Sequence, residues 1–144
     1  MTAPVFVDTN VFIYAVDLAD PKKQKSAQSW LAELWTSRNG RVSFQVLQEF
    51  YAKVSQKGAV ARDEARAEVR GLLAWNPIPV NAEILDRGWR IQDRYQLSFW
   101  DSLIVAAARS ASCRYLLTED LQDGQSLEGL LVVSPFTHDP ASLT

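Results

Sequence analysis

Short apolar runs held apart by amphipathic helical stretches constrain this chain most. Val5-Phe6-Val7 follows Pro4 and leads into Asp8-Thr9-Asn10, and Tyr115-Leu116-Leu117 leads into Thr118-Glu119-Asp120. Each reads as a short buried strand followed by a turn. Between the two runs, apolar residues recur at three- and four-residue spacing. That spacing predicts helices over residues 21–38, 45–56, 61–75 and 82–95, with a shorter one opening at Val11. Strands joined through a helix cannot return by a tight hairpin, so they lie parallel. The expected class is therefore α/β, a sandwich with a mainly parallel central sheet.

Local signals set the element ends. Asp20-Pro21 supplies an N-cap and a first-turn proline, and Asn39-Gly40 stops the helix that follows. Ala27, Trp30, Leu31, Leu34 and Trp35 form its apolar stripe. Further strands are expected at Arg41-Val42-Ser43-Phe44, Ile78-Pro79-Val80 and Leu130-Leu131-Val132-Val133. Pro79 confines the second of these to an edge or an end. Residues 100–111 differ in kind: apart from Asp101, Ser102, Arg109 and Ser110 they are apolar or alanine, so that helix is expected to be buried on most sides. The tail after Phe136 is expected to be loosely held. Core packing is the default expectation for most of the five tryptophans, with partner recognition as the other use.

Composition narrows the function classes. With 144 residues, 47% hydrophobic and 22% charged, the chain suits one folded domain and does not resemble a disordered protein. Cys113 is the only cysteine, which rules out an internal disulfide and fits a reducing compartment. The start lacks a basic-then-apolar secretory signal, and no run approaches the roughly 18 apolar residues of a membrane span. The expectation is a cytoplasmic protein with no membrane partner. His138, near the chain end, is the sole histidine. This argues against Ser-His-Asp or Cys-His catalysis and against a two-histidine zinc site. The formal charge of −2 does not mark a general nucleic-acid binder. The basic runs Lys22-Lys23-Gln24-Lys25 and Arg62/Arg66/Arg70 are first of all solvated helix faces.

Four acids remain, each with a local use and a collective one. Asp8 and Asp120 end strand-like runs, and ligands bind beyond the carboxyl ends of strands in open α/β sheets. Locally, Asp8 can cap the helix at Val11, and Asp120 can build a turn towards Gly124. Asp101 lies in an apolar helix, where a buried carboxylate is costly without a counter-charge or a metal; Ser98-Phe99-Trp100-Asp101 is also a capping box. Glu49, beside Val46 and Phe50, has Lys53 four residues on as an ion-pair partner. Together the four would repel one another unless a cation were present. Mg²⁺ and Mn²⁺ are hard cations that take carboxylate and water oxygen, and such a site supports phosphodiester hydrolysis.

These residues resemble the PIN-domain family, and within it the VapC-type toxins of bacterial type II toxin–antitoxin systems. The resemblance is carried by Val5-Phe6-Val7-Asp8-Thr9-Asn10, Gln48-Glu49-Phe50, Trp100-Asp101-Ser102-Leu103-Ile104 and Leu117-Thr118-Glu119-Asp120-Leu121-Gln122-Asp123-Gly124, and it runs from Val5 to about Val133. It implies a three-layer α/β/α sandwich and a single PIN-like nuclease domain over residues 1–144. It implies a Mg²⁺ (or Mn²⁺) site and an endoribonuclease that hydrolyses RNA with metal-activated water. Asp8, Glu49, Asp101 and Asp120 are then the catalytic acids. Asp8, Asp101 and Asp120 would be metal ligands, with Glu49 assisting through water. Thr9, Asn10 and Thr118 match positions that orient acids or water, and Glu119 and Asp123 flank Asp120 as alternatives to it. The implied partners are an RNA substrate, a second copy in a homodimer, and a VapB-like antitoxin that places a cation among the acids. Two other functions fit the same residues: housekeeping RNA processing, and a catalytically silent binding module whose acids only cap helices.

Overall fold

The two apolar runs that end in acids, Val5–Val7 (β1) and Tyr115–Leu117 (β3), lie parallel and hydrogen-bonded to each other in the computed structural model, which describes residues 3–56, 58 and 60–143. Three further strands complete one sheet: Gly40–Arg41 (β2), Ser126–Leu127 (β4) and Leu130–Val133 (β5), in the order β2-β1-β3-β5-β4. Every pairing is parallel except the β4–β5 hairpin. Helices cover both faces. All three residues of β1 are fully buried, as a central strand requires when both faces of its sheet are covered. The architecture is the expected three-layer α/β/α sandwich.

Six helices are described: Thr9–Val16 (α1), Pro21–Ser37 (α2), Phe44–Gln56 (α3), Arg62–Leu72 (α4), Ala82–Tyr95 (α5) and Phe99–Ser110 (α6). Their starts follow the capping chemistry of the sequence. The Asp20 carboxylate accepts from the Lys23 amide at 3.1 Å, the Asn81 side chain from the Ile84 amide at 3.0 Å, and the Ser98 hydroxyl from the Asp101 amide at 3.1 Å. α6 is buried from Ser102 to Ala108, as its composition predicts. It packs closely on α5, where Gly88 leaves room for Leu103: a Cβ on Gly88 would stand 2.8 Å from the Leu103 Cδ2. No helix among the described residues is long and apolar enough to cross a membrane.

Several boundaries differ from expectation. The run 41–44 gives only the short β2, and Ile78-Pro79-Val80 contributes a single parallel bridge, Ser43 to Ile78, instead of a strand. Pro79 cannot donate to a ladder, so pairing stops there. The helical run 61–75 is α4 followed by a 3₁₀ turn, Leu73–Trp75, ended by Asn76 at φ 52°. β4 was not anticipated. It returns to β5 through Glu128 at φ 54° and Gly129 at φ 80°, the two positive values of a tight hairpin turn. The tail is not loose either. The Trp30 indole N–H donates to the carbonyls of Pro135 and His138, both at 3.1 Å, and Leu143 packs on the core. Trp30 is buried and Trp75 half-buried, but Trp35, Trp89 and Trp100 are at least half exposed, so core packing does not account for most tryptophans. Cys113, between α6 and β3, is fully buried, and its desolvation pushes the thiol up to about 12.

Candidate active site

Strand register brings the first acids together. Val7 pairs with Leu117, so Asp8 and Thr118 follow as neighbours at the carboxyl ends of β1 and β3. The ladder continues past them: the Asp8 amide donates to the Leu117 carbonyl at 3.0 Å, and the Thr118 amide to that of Val133 at 3.1 Å. Asp8 also caps α1, its Oδ1 accepting from the Thr9 amide at 2.7 Å. The helix cap and the cavity position are therefore held by one residue.

Thr118 fixes the other carboxylate oxygen of Asp8. Its hydroxyl oxygen accepts from Asn10 Nδ2 at 3.0 Å and from the Asp120 amide at 3.1 Å. With both lone pairs engaged, its single proton is directed at Asp8 Oδ2, 2.8 Å away. Asn10 Oδ1 in turn accepts from the Glu119 amide at 3.4 Å. Two polar residues after β1 and the turn after β3 thus lock each other in place. Asp120, in that turn, is exposed.

Glu49 arrives on α3 and Asp101 on α6. The Glu49 carboxylate accepts from the Thr9 hydroxyl at 3.4 Å and from Gln45 Nε2 at 3.3 Å. Among the described residues it makes no ion pair with Lys53, although Lys53 shares its surroundings. Asp8, Thr9, Asn10, Glu49, Asp101 and Asp120 line one cavity of about 390 Å³, with Thr118 behind Asp8. The four acids and the three polar residues named with them thus share one neighbourhood. A larger cavity of about 670 Å³ beside Trp35, Trp75, Arg38 and Arg41 contains no acidic residue and lies by the amino end of β1.

The electrostatics of the cavity are unfavourable to its own acids. Burial raises Asp8 from 3.8 to about 6, against the lowering effect of its bonds from Thr118 and Thr9; the charges of Asp120 and Glu49 push the same way as burial. Asp101 is also raised, first by desolvation and then by Asp120, with Ser98 opposing. Asp120 is thus the charge felt by both Asp8 and Asp101. No His or Cys lines the space, so the ligands it can offer are oxygens, and hard divalent cations select such a donor set. Among the described residues, no group of three or more Asp, Glu, His or Cys side chains is close enough to hold a metal ion together. An open arrangement of this kind fits Mg²⁺, which keeps several waters and takes one or two carboxylates.

The structure separates Glu119 and Asp123 from Asp120. Glu119 lines the cavity but accepts from Lys23 Nζ at 3.0 Å, and it holds that ammonium above the ordinary lysine range. Lys23 also lies 4.8 Å from the ring centres of both Tyr14 and Phe136. Asp123 points elsewhere, accepting from the Ser134 amide at 2.8 Å and pairing with His138 at 2.9 Å, which keep its carboxyl low. Both carboxylates thus have partners of their own, Lys23 for Glu119 and His138 for Asp123. Sequence reasoning missed Tyr14, Asp17, Gln45, Lys53 and Trp100 as cavity residues. Their one available signal was position: Tyr14 and Asp17 follow Asn10 at helical spacing, and Gln45 precedes Glu49 by one helical turn.

A sequence profile of the PIN domain matches residues 5–122. The chain belongs to the PIN-domain family. Solved structures resemble this PIN domain at low sequence identity. A toxin–antitoxin complex from Klebsiella pneumoniae shares 18% identity, with a TM-score of 0.63 over 94% of this chain and 98% of that one. A DNA-bound VapBC from Salmonella typhimurium shares 14%, with a TM-score of 0.65 over 92% and 98%. VapC20 of Mycobacterium tuberculosis, a toxin that cleaves the sarcin–ricin loop, shares 18%, with a TM-score of 0.58 over 78% and 86%. At such identities the likeness speaks to the fold of this PIN domain. No curated protein matches it in sequence.

Proposed function

We propose that this PIN domain is a Mg²⁺- or Mn²⁺-dependent endoribonuclease, the toxin of a type II toxin–antitoxin pair, acting as one nuclease domain over the whole chain. The observation that carries this is Asp8: a buried carboxylate raised to about 6, flanked by Asp120 and Glu49, with its hydrogen bonds coming from Thr118, Thr9 and Asn10 and not from the cavity's Lys53. Asp8, Asp101 and Asp120 would hold the ion, with Glu49 acting through water. Bound there, the ion supplies the positive charge and Lewis acidity that phosphodiester hydrolysis needs. The chain's own part is positional. Thr118 and Thr9 orient Asp8, Asn10 holds the turn that carries Asp120, and Ser98 sets the first turn of α6 beneath Asp101.

The partners follow from the same charge distribution and from what the structural neighbours are. An antitoxin whose guanidinium or ammonium enters the cavity would satisfy the acids as a metal does, and silence the enzyme. A homodimer and an RNA substrate belong to the same proposal. Asp8→Asn and Asp101→Asn should each reduce RNA cleavage by at least about a hundredfold, the scale of losing an electrostatic group at a reacting centre, and EDTA should abolish the wild-type reaction. Cleavage indifferent to both treatments would overturn the assignment. Growth arrest on expression, relieved by a co-purifying neighbour-encoded protein, separates a toxin from a housekeeping nuclease.

A further inference from the structure

We infer that Trp100 is a nucleobase platform at the mouth of the acidic cavity, the residue on which an unpaired base of the substrate stacks. This deepens the nuclease assignment and rests on it. Trp100 lines the cavity yet is 62% exposed, the second most exposed of the large apolar side chains described. A solvent-facing indole beside charged residues gains little for the fold, because fully buried apolar surface is what stabilises it.

Its backbone is held and its ring is braced on one side. Ser98 caps the helix on the Asp101 amide, Gln45 Nε2 donates to the Trp100 carbonyl at 3.3 Å, and the Phe99 ring meets the indole edge-on with centres 5.2 Å apart. A ring held in this way loses little freedom when something stacks on it. Ile104 also lines the cavity and stands one helical turn beyond Trp100, so the two share a face of α6. Asp101 lies next to Trp100 in the chain, so apolar and acidic surface adjoin. A nucleotide has the matching halves: a flat apolar base and a phosphate to be met at the acids. Bases inside a duplex already have both faces covered by their neighbours, so only an unpaired or splayed-out base can stack on the indole.

The test is fluorescence anisotropy with a short labelled RNA, in EDTA so that no strand is cut, as a single strand and as a duplex. Trp100→Leu should bind the single strand about tenfold more weakly, within the range that stacking of one base contributes. Trp100→Phe should retain most of the affinity, and Trp89→Leu, altered at an exposed indole on α5, should match wild type. Wild type should prefer the single strand. Melting curves are expected to coincide for all variants; should Trp100→Leu melt early, the Phe variant and the strand preference still decide. Equal binding by Trp100→Leu and wild type, or no preference for the single strand, overturns the platform while cleavage by wild type leaves the nuclease standing. Absence of both binding and cleavage by wild type overturns the two together.

Discussion

Asp8 couples the stability of the fold to the occupancy of its site. Its carboxyl titrates near 6 in the folded chain and near 3.8 when unfolded. Below 3.8 both states hold the proton. Between 3.8 and about 6 only the folded state does, so stability falls as the pH rises through that window, by about 3 kcal/mol in total, and the full cost is present above it. In EDTA the melting temperature should decline across this window. Asp8→Asn, which has no proton to lose there, should flatten the decline. Mg²⁺ should raise the melting temperature of wild type above pH 6 and lose this effect below it, because metal and proton compete for the same oxygens. A Mg²⁺ response that persists unchanged at pH 4.5 would contradict the role of Asp8. Asp8, Asp101 and Asp120 were legible in the sequence because each sits where an element begins or ends, and Glu49, midway along α3, because it edges an apolar stripe. The cations were not: Lys23 meets Glu119 across 96 positions, and nothing local in either residue announces the pair.

Element ends carry the next scale of control. Ser98→Ala removes the cap of α6 and should cost about 1 kcal/mol, measured by urea unfolding. Ser98 also holds Asp101 down, so its loss should raise the Asp101 carboxyl further. At β2, the Trp75 ring lies directly over Gly40, and a Cβ there would come within 2.5 Å of its Cη2. Gly40→Ala must displace a stiff ring and should destabilise by about 1–3 kcal/mol, with a changed near-ultraviolet circular dichroism spectrum. By contrast, Gly88→Ala meets only the end of Leu103 and gains helix propensity, so its effect should stay within about 1 kcal/mol. Periodicity announced the helices well, because each keeps an apolar stripe. It failed for β4, a strand of two residues whose turn places Glu128 where Asn or Asp is usual. It also overread 78–80, where one bridge is all that Pro79 permits.

Across the molecule, the acids and the anchored tail leave from the same end of the sheet, since β1, β3 and β5 run parallel. The parallel order of β1, β3 and β5 was legible in kind from strands separated by helices, but the strand order was not, since many orders satisfy that alternation. The tail was misjudged because its anchor is remote: the buried Trp30 indole takes its acceptors from Pro135 and His138, more than a hundred residues away. Ending the chain at Ser134 removes both acceptors and leaves a buried N–H unmet, which should cost about 1–3 kcal/mol in thermal or urea unfolding.

Cys113 gives the folded protein a silent clock. A thiol enclosed on all sides and pushed up to about 12 offers a maleimide almost no thiolate at neutral pH, and no path to reach it. Alkylation can then proceed only during excursions that open the core, and its pace counts them. Because the residue sits away from the acids, slower alkylation in Mg²⁺ would register ligand-linked tightening of the whole domain without any reporter placed in the cavity.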